Sequence, residues 1–104
     1  MSAQDRQTLS LPSLRNLQAF IAVANALSIH QAAEQLYVTP SAVSHQIASL
    51  ESWMGKKLFI RSGKGVQLTP TGEKYLREVS AAMSAIGRAT DQIVKEKDTA
   101  VLRV

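Results

Sequence analysis

Three short polar side chains lie on one face of a helix that the sequence predicts over residues 40–54. Ser44 and His45 follow Ser41 by three and four residues, so a helix places all three on the same side. Hydroxyl and imidazole groups donate and accept hydrogen bonds, and their short length lets the helix backbone approach another surface closely. The major groove of DNA is wide enough to admit such a helix. The pattern therefore favours contact with base edges over a helix face that is only solvated.

The opposite face of this helix is apolar and repeats at helical spacing, as expected of a face that packs against a core. Its members are Val43, Ile47, Leu50 and Met54. Thr39 followed by Pro40 supplies an N-cap and a proline at the first helical position, and Gly55 is typical of the residue after a helix. These signals predict that the helix begins at Pro40 and ends near Met54.

A shorter helix precedes this one. Ser28 is a suitable N-cap, the apolar positions from Ile29 to Leu36 recur at helical spacing, and Tyr37 falls in the connecting turn. The sequence therefore predicts a helix-turn-helix at about residues 29–48, with residues 40–54 as its recognition helix. An ordinary helical hairpin without a DNA role has the same periodicity and stays open as an alternative.

The positive charge of the chain is concentrated in one segment. The 104 residues carry 12 Lys and Arg against 8 Asp and Glu, a formal charge of +4. Four basic residues and no acidic one lie between Ser52 and Gly72, and they are Lys56, Lys57, Arg61 and Lys64. Such clustering is compatible with a polyanionic partner.

The composition also bounds size and location. A chain of this length with 45% hydrophobic residues forms one small domain. The chain has no cysteine, no apolar run of the roughly 18 residues that a membrane span needs, and no apolar segment within its first twelve residues. We therefore expect a cytoplasmic location and a flexible N-terminus over residues 1–11.

Before the helix-turn-helix, Ser13 can cap a helix that runs to about Leu27 and completes a three-helix core. Its predicted inward stripe consists of Leu14, Leu17, Phe20, Ile21, Ala24 and Leu27. After the recognition helix, two β-prone runs at residues 58–61 and 66–69 flank a four-residue link with two glycines, which suits a hairpin. A hairpin in this position is the wing of a winged helix-turn-helix, with Lys64 at its tip and Arg61 at its base. A plain solvated turn is the alternative for Lys64.

Thr69 and Pro70 repeat the cap and proline signal, and a long helix is predicted over residues 70–97. Apolar residues recur along it at alternating steps of four and three, which is typical of a seam that packs against another helix. The residues assigned to a dimer interface are Tyr75, Val79, Ala82, Met83, Ile86 and Ile93. A second copy is the economical partner, although folding back onto its own domain is an alternative. Residues 98–104 end in an apolar, strand-like run.

Reactive groups do not converge anywhere in the sequence. His30 and His45 have no cysteine or clustered carboxylates nearby, and Glu34 and Glu51 are expected to be exposed or locally paired. No serine has a base in a nucleophile-like motif. Trp53 is expected to pack near the end of the recognition helix. We therefore predict no catalytic site, no metal site and no cofactor, and the chain is not expected to be an enzyme.

The stretch SIHQAAEQLYVTPSAVSHQIASLESWMGKKLFIR, then the wing and LTPTGE, resembles the N-terminal DNA-binding domain of the LysR-type transcriptional regulators. The resemblance extends from about Leu11 through the long helix. It implies a mainly α fold, a winged helix-turn-helix over residues 12–69, followed by a linker helix that dimerises antiparallel to its mate. It also implies that residues 98–104 begin a hinge to a C-terminal effector domain, absent from this chain, which would bind a small molecule. A tetramer at full length stays open.

The resemblance further implies which residues contact double-stranded DNA. Those assigned to base contacts are Pro40, Ser41, Ser44 and His45, and those assigned to the DNA backbone are His30, Gln31, Arg61 and Lys64. Many members have glutamine where this chain has Pro40 and arginine where it has His45, so the bidentate contact of arginine with guanine is lost at position 45. Backbone positioning alone is the alternative role for His45.

The sequence thus predicts a dimeric, sequence-specific DNA-binding domain of a bacterial transcriptional regulator. A protein-interaction module, in which the helical seam is the function and the basic wing is incidental, is one rival. A small enzyme is the other, disfavoured because no reactive constellation exists.

Overall fold

The computed structural model describes the backbone of residues 11–63 and 65–103, and side chains as far as Glu96. The elements in chain order are helices α1 (Leu14–Ala26), α2 (Ile29–Leu36) and α3 (Pro40–Met54), strands β1 (Phe59–Ser62) and β2 (Gly65–Leu68), and helix α4 (Pro70–Arg103). The predicted winged helix-turn-helix with a long following helix is confirmed. The flexible N-terminus predicted for residues 1–11 lies, except for the exposed Leu11, outside the described residues.

Side-chain caps begin the first three helices where the sequence predicts. The hydroxyl of Ser13 accepts a hydrogen bond from the Asn16 N–H at 3.1 Å, and Ser28 and Thr39 do the same for the N–H groups three residues further on. Each helix ends in a residue with left-handed backbone, at φ 54° for Leu27, 58° for Tyr37 and 70° for Gly55. Local chemistry therefore fixes the bounds of all three helices.

The core lies where α1 crosses α2 and α3. Its largest fully buried side chains are Phe20, Val23, Val43, Leu50 and Leu58. Two small residues of α2, Ala32 and Ala33, are fully buried or nearly so and let α1 and α3 approach.

The predicted inward stripe of α1 is wrong at both ends. Leu14 is 55% exposed and Leu27 is 48% exposed, whereas Val23, outside the predicted stripe, is fully buried. Leu14 lies in the first turn, beyond the helices that cover the middle of α1. Leu27 follows the end of the helix, and its left-handed backbone takes the side chain off the helical face.

The wing is an antiparallel hairpin in the register Phe59↔Leu68 through Ser62↔Gly65. The loop is thus two residues long, shorter than the four-residue link predicted, because both strands extend one residue further towards the tip. Gly65 has φ +120°, a conformation that favours glycine, and a Cβ atom there would lie 3.2 Å from the Leu27 carbonyl oxygen. The wing therefore stands close to the junction of α1 and α2.

Helix α4 is longer than predicted. It continues past residue 97 to Arg103, giving 34 residues and a length of about 51 Å. The strand-like interpretation of residues 101–103 is therefore wrong, because no glycine or proline after Gly87 interrupts the helix and local β propensity is a weak preference. Val104 lies outside the described residues, and the hinge assigned to residues 98–104 stays a prediction. Among the described helices, none is both long and apolar enough to cross a membrane.

Candidate functional site

A groove of about 420 Å³ lies between the starts of α2 and α3 and the wing. It brings together five of the eight residues that the sequence assigned to a nucleic-acid contact, namely His30, Pro40, Ser41, Ser44 and Arg61. These residues come from three elements that are separated by up to 31 positions in the chain. The fold therefore gathers them on one side of the molecule.

The two faces of α3 differ as the sequence predicted. Val43 and Leu50 are fully buried, whereas Ser41 and His45 are exposed and Ser44 is partly exposed. Ala48 and Ser52 continue the exposed face. The outer side of α3 therefore offers short hydrogen-bonding groups at its N-terminal half and no charge between Pro40 and Ala48.

The first turn of α2 faces the same groove. His30 and Gln31 are exposed, and the Gln31 N–H is engaged by the Ser28 hydroxyl at 3.2 Å. A helix N-terminus presents backbone N–H groups and a partial positive charge, both of which favour an anion. His30 and Gln31 thus lie where an anionic group could approach the start of the helix.

Positive charge lies on the other side of the groove. Arg61 is exposed on β1 and makes no ion pair with any described residue. Lys56 and Lys57 are exposed just after the C-terminal end of α3 and do not line this groove. Lys64, the predicted tip of the wing, lies outside the described residues. Within the described part of the chain, the groove thus has an uncharged wall on α3 and a cationic wall on the wing.

The carboxylate of Glu51 connects α3 to the wing, a role that the sequence did not suggest. Its Oε2 atom accepts hydrogen bonds from the N–H groups of Leu58 at 2.8 Å and Phe59 at 3.1 Å. Its Oε1 atom lies 3.7 Å from the Lys57 ammonium, so the expected local pairing is part of the arrangement. One signal was available: Glu51 is the only acidic residue between Glu34 and Glu73.

The residues assigned to a dimer interface fall into two groups. Tyr75 packs on Phe20 with ring centroids 5.3 Å apart, and Val79 is 9% exposed. Both side chains thus make contacts within the chain's own domain, and their assignment to a dimer interface stays a prediction. Burial of Tyr75 also raises its pKa above the usual value of 10.0. The remaining members of the predicted interface lie further along α4. Ala82, Ile86 and Ile93 are exposed, and Met83 is half-buried.

The outer apolar surface includes part of α1. A cleft of about 440 Å³ is lined by Leu11, Leu14 and Leu17 on one side and by residues from Tyr75 to Ile86 of α4 on the other.

The expectation that Trp53 packs at the end of α3 is wrong, since its side chain is 53% exposed. Among the described residues, no group of three His, Cys, Asp or Glu side chains could hold a metal ion.

Comparison with known families identifies the kind of protein that this chain resembles. The family described as "Bacterial regulatory helix-turn-helix protein, lysR family" matches residues 14–73. The glycine cleavage system transcriptional activator of Escherichia coli (strain K12) is 43% identical over 83 residues, which are 80% of this chain and 27% of that protein. The transcriptional regulator PcaQ of Agrobacterium fabrum is 39% identical over 82 residues, 79% of this chain and 26% of that protein. The chain thus spans about a quarter of the length of these relatives.

Solved structures give the same assignment. A complex of the CbnR DNA-binding domain with DNA superimposes with a TM-score of 0.72 at 34% identity, over 77% of this chain and 92% of that chain. Full-length CbnR, a LysR family transcriptional regulator, has the same score and identity but is covered over only 28% of its length. A complex of the BenM DNA-binding domain with DNA has a TM-score of 0.76 at 28% identity, over 80% of this chain and 93% of that chain.

Proposed function

Because this chain belongs to the LysR family of bacterial regulatory helix-turn-helix proteins, we propose that it binds double-stranded DNA sequence-specifically, as the dimeric DNA-binding part of a transcriptional regulator. The observation that carries the proposal is the groove in which Ser41 and Ser44 of α3 lie beside Arg61 of the wing, with His45 exposed next to them on the same helix. The related CbnR and BenM domains, which share this fold, were both solved with DNA.

The two walls of the groove have different roles. The uncharged face of α3 enters the major groove, where Pro40, Ser41, Ser44 and His45 meet base edges and supply sequence preference. The DNA backbone passes along the start of α2 and the wing, where His30, Gln31, Arg61 and Lys64 contact phosphates. Phosphate contacts carry no sequence information and supply an affinity that falls with salt.

Helix α4 joins two copies. Its outer residues Ile86 and Ile93 are 59% and 63% exposed, which is a poor arrangement for an isolated helix in water. Pairing with the same helix of a second copy, antiparallel and about a twofold axis, covers them together with Ala82 and Met83. The dimer places two recognition helices on two half-sites of a duplex.

The rest of the regulator follows from the size of the relatives. A C-terminal effector domain binds a small molecule, residues 98–104 lead into it, and a second interface there can give a tetramer. The chain itself needs no cofactor and is not an enzyme. Its location is the cytoplasm, where the chromosome of a bacterium lies.

The test is a binding titration with a duplex selected by this chain from a random DNA pool. Fluorescence anisotropy at several salt concentrations, with a shuffled duplex of the same composition as control, separates specific from nonspecific affinity. We expect tighter binding to the selected duplex at every salt concentration. Equal affinity for both duplexes would contradict sequence-specific recognition.

The second candidate is an oligomerisation module whose function is the apolar surface of α4. The exposed side chains of Ile86 and Ile93 are the observation in its favour. A chain that sediments as a dimer but binds no duplex even at low salt would support this candidate over DNA binding.

A further inference from the structure

The segment from Lys57 to Phe59 is held by hydrogen bonds from two sides. From α3, Glu51 Oε2 accepts from the N–H groups of Leu58 and Phe59. From the start of α4, the Thr69 hydroxyl donates to the Lys57 carbonyl oxygen at 2.8 Å, and the Thr69 N–H donates to that of Leu58 at 3.0 Å. The first strand of the wing therefore begins from a fixed point between the recognition helix and the long helix.

The contact of Glu51 with the backbone matters more than its ion pair. The Lys57 side chain is 81% exposed and its ammonium is 3.7 Å away, an arrangement that contributes little in water. The Glu51 side chain, in contrast, is 12% exposed, and its two bonds to backbone N–H groups are partly buried and charge-assisted. Loss of this acceptor would leave the N–H groups of Leu58 and Phe59 without their partner.

Arg61 lies two residues beyond Phe59 on the same strand, a distance of about 6.6 Å at the usual rise per residue. Ser44, Glu51 and Arg61 line a second groove of about 490 Å³, which shares Ser44 and Arg61 with the first. A change in the position of residues 58 and 59 is therefore transmitted to Arg61 through a short, hydrogen-bonded strand. It would alter the spacing between the cationic wall of the groove and the base-contacting face of α3.

We propose that Glu51 is a positioning residue for DNA binding, which fixes the wing relative to the recognition helix so that Arg61 meets the phosphate backbone while Ser44 and His45 meet base edges. The proposal rests on the proposed function. Glu51 itself does not contact DNA in this arrangement. Its carboxylate would repel phosphates, and it is useful because it is turned towards the protein backbone.

Three variants separate the acceptor, the charge and the reach of this side chain. Glu51→Gln keeps a carbonyl oxygen at nearly the same place and removes the charge. Glu51→Ala removes the acceptor, and Glu51→Asp keeps the charge on a side chain one methylene shorter. Glu34→Ala, at an exposed position of α2 that lines neither groove, removes a carboxylate of the same charge away from the junction and is the matched control.

The readout is the slope of log binding constant against log salt, measured with the full 104-residue chain on the duplex that the wild type selects. The slope is negative, and each phosphate contact contributes about 0.9 to its magnitude. Loss of one contact in each protomer therefore reduces the magnitude of the slope by about 1.8 for the dimer. We expect this decrease for Glu51→Ala and Glu51→Asp, with the wild-type slope kept by Glu51→Gln and Glu34→Ala. Circular dichroism at each salt concentration checks that the folded fraction is the same, so that instability does not enter the slope.

A double-mutant cycle completes the test. Arg61→Ala should lower the slope in the wild-type background and have little further effect in Glu51→Ala, because the contact is already lost. A full Arg61→Ala effect in Glu51→Ala, or a wild-type slope for Glu51→Ala, would overturn the proposal. Loss of the helical circular dichroism signal in both Glu51→Ala and Glu51→Asp would show that Glu51 is needed for folding, and would also overturn the proposal. Failure of the wild type to prefer the selected duplex would instead contradict the proposed function.

Discussion

Gly72 and Leu58 are in such close contact that a Cβ atom on Gly72 would stand 2.2 Å from the Leu58 carbonyl oxygen. Gly72 lies in the first turn of α4, and Leu58, fully buried, comes just before the first strand of the wing. The long helix thus meets the wing backbone to backbone. Side chains cannot be inserted there without moving one of the two elements.

Gly72→Ala should therefore destabilise the domain by about 1–3 kcal/mol, the usual cost of overpacking, because the overlapping atom belongs to backbone that cannot rotate away. Urea unfolding followed by circular dichroism measures the change. Gly87→Ala is the control: it lies in the same helix, has nothing within 4 Å of its added Cβ, and should stabilise the chain by about 0.5–1 kcal/mol. Equal effects at the two glycines would contradict the close contact.

Arg61→Ala should weaken binding to the selected and the shuffled duplex by the same factor, because a phosphate contact carries no sequence information. It should also reduce the magnitude of the salt slope by about 0.9 for each protomer. Anisotropy titrations at four or more salt concentrations provide the slope. Arg77→Ala removes the same charge from an exposed position of α4 that lines neither groove and should leave the slope unchanged. A selective loss on one duplex would make Arg61 a base-contacting residue instead.

His45→Ala should relax the preference at particular base pairs and leave the salt slope nearly unchanged. The reason is that His45 is exposed on the uncharged face of α3, where a lost base contact costs about 1–3 kcal/mol of discrimination. Selection from a random pool with the wild type and the variant identifies the affected positions. Gln35→Ala, on an exposed position of α2 that lines neither groove, is the control. An unchanged base preference together with a salt slope of smaller magnitude would indicate that His45 contacts the DNA backbone and not base edges.

Ile86→Asp should convert the dimer to a monomer with little effect on the fold of the winged domain. Its side chain is 59% exposed within one chain, so only a partner copy would bury the new charge. Sedimentation equilibrium measures the association, and circular dichroism checks the helix content. Ser84→Asp adds the same charge on the opposite side of α4 and should still dimerise. Dimerisation of both variants would remove this face of α4 from the interface.

The first three helices and their bounds could be predicted from the sequence because they depend on local chemistry. Ser28 and Thr39 accept bonds from N–H groups three residues away, and the buried Val43 and Leu50 follow the period of the helix itself. The exposed face with Ser41 and His45 is then fixed as well, since it is what remains when the apolar face packs. Helix, turn, hairpin and the uncharged surface all follow from interactions over a few residues.

Tertiary structure alone decided which of several apolar residues are buried and which polar group holds the elements together. Leu14 and Val23 belong to the same helix, yet only Val23 lies where α2 and α3 cover it. Val79 packs inside the domain while Ile86, seven residues on, lies beyond it. The hydrogen bond that Glu51 accepts from the Phe59 N–H joins a helix to a strand, and its existence depends on the distance between two elements rather than on either sequence segment. Spacing along the chain determines what each element is, and only the packing of the elements determines which of their side chains meet.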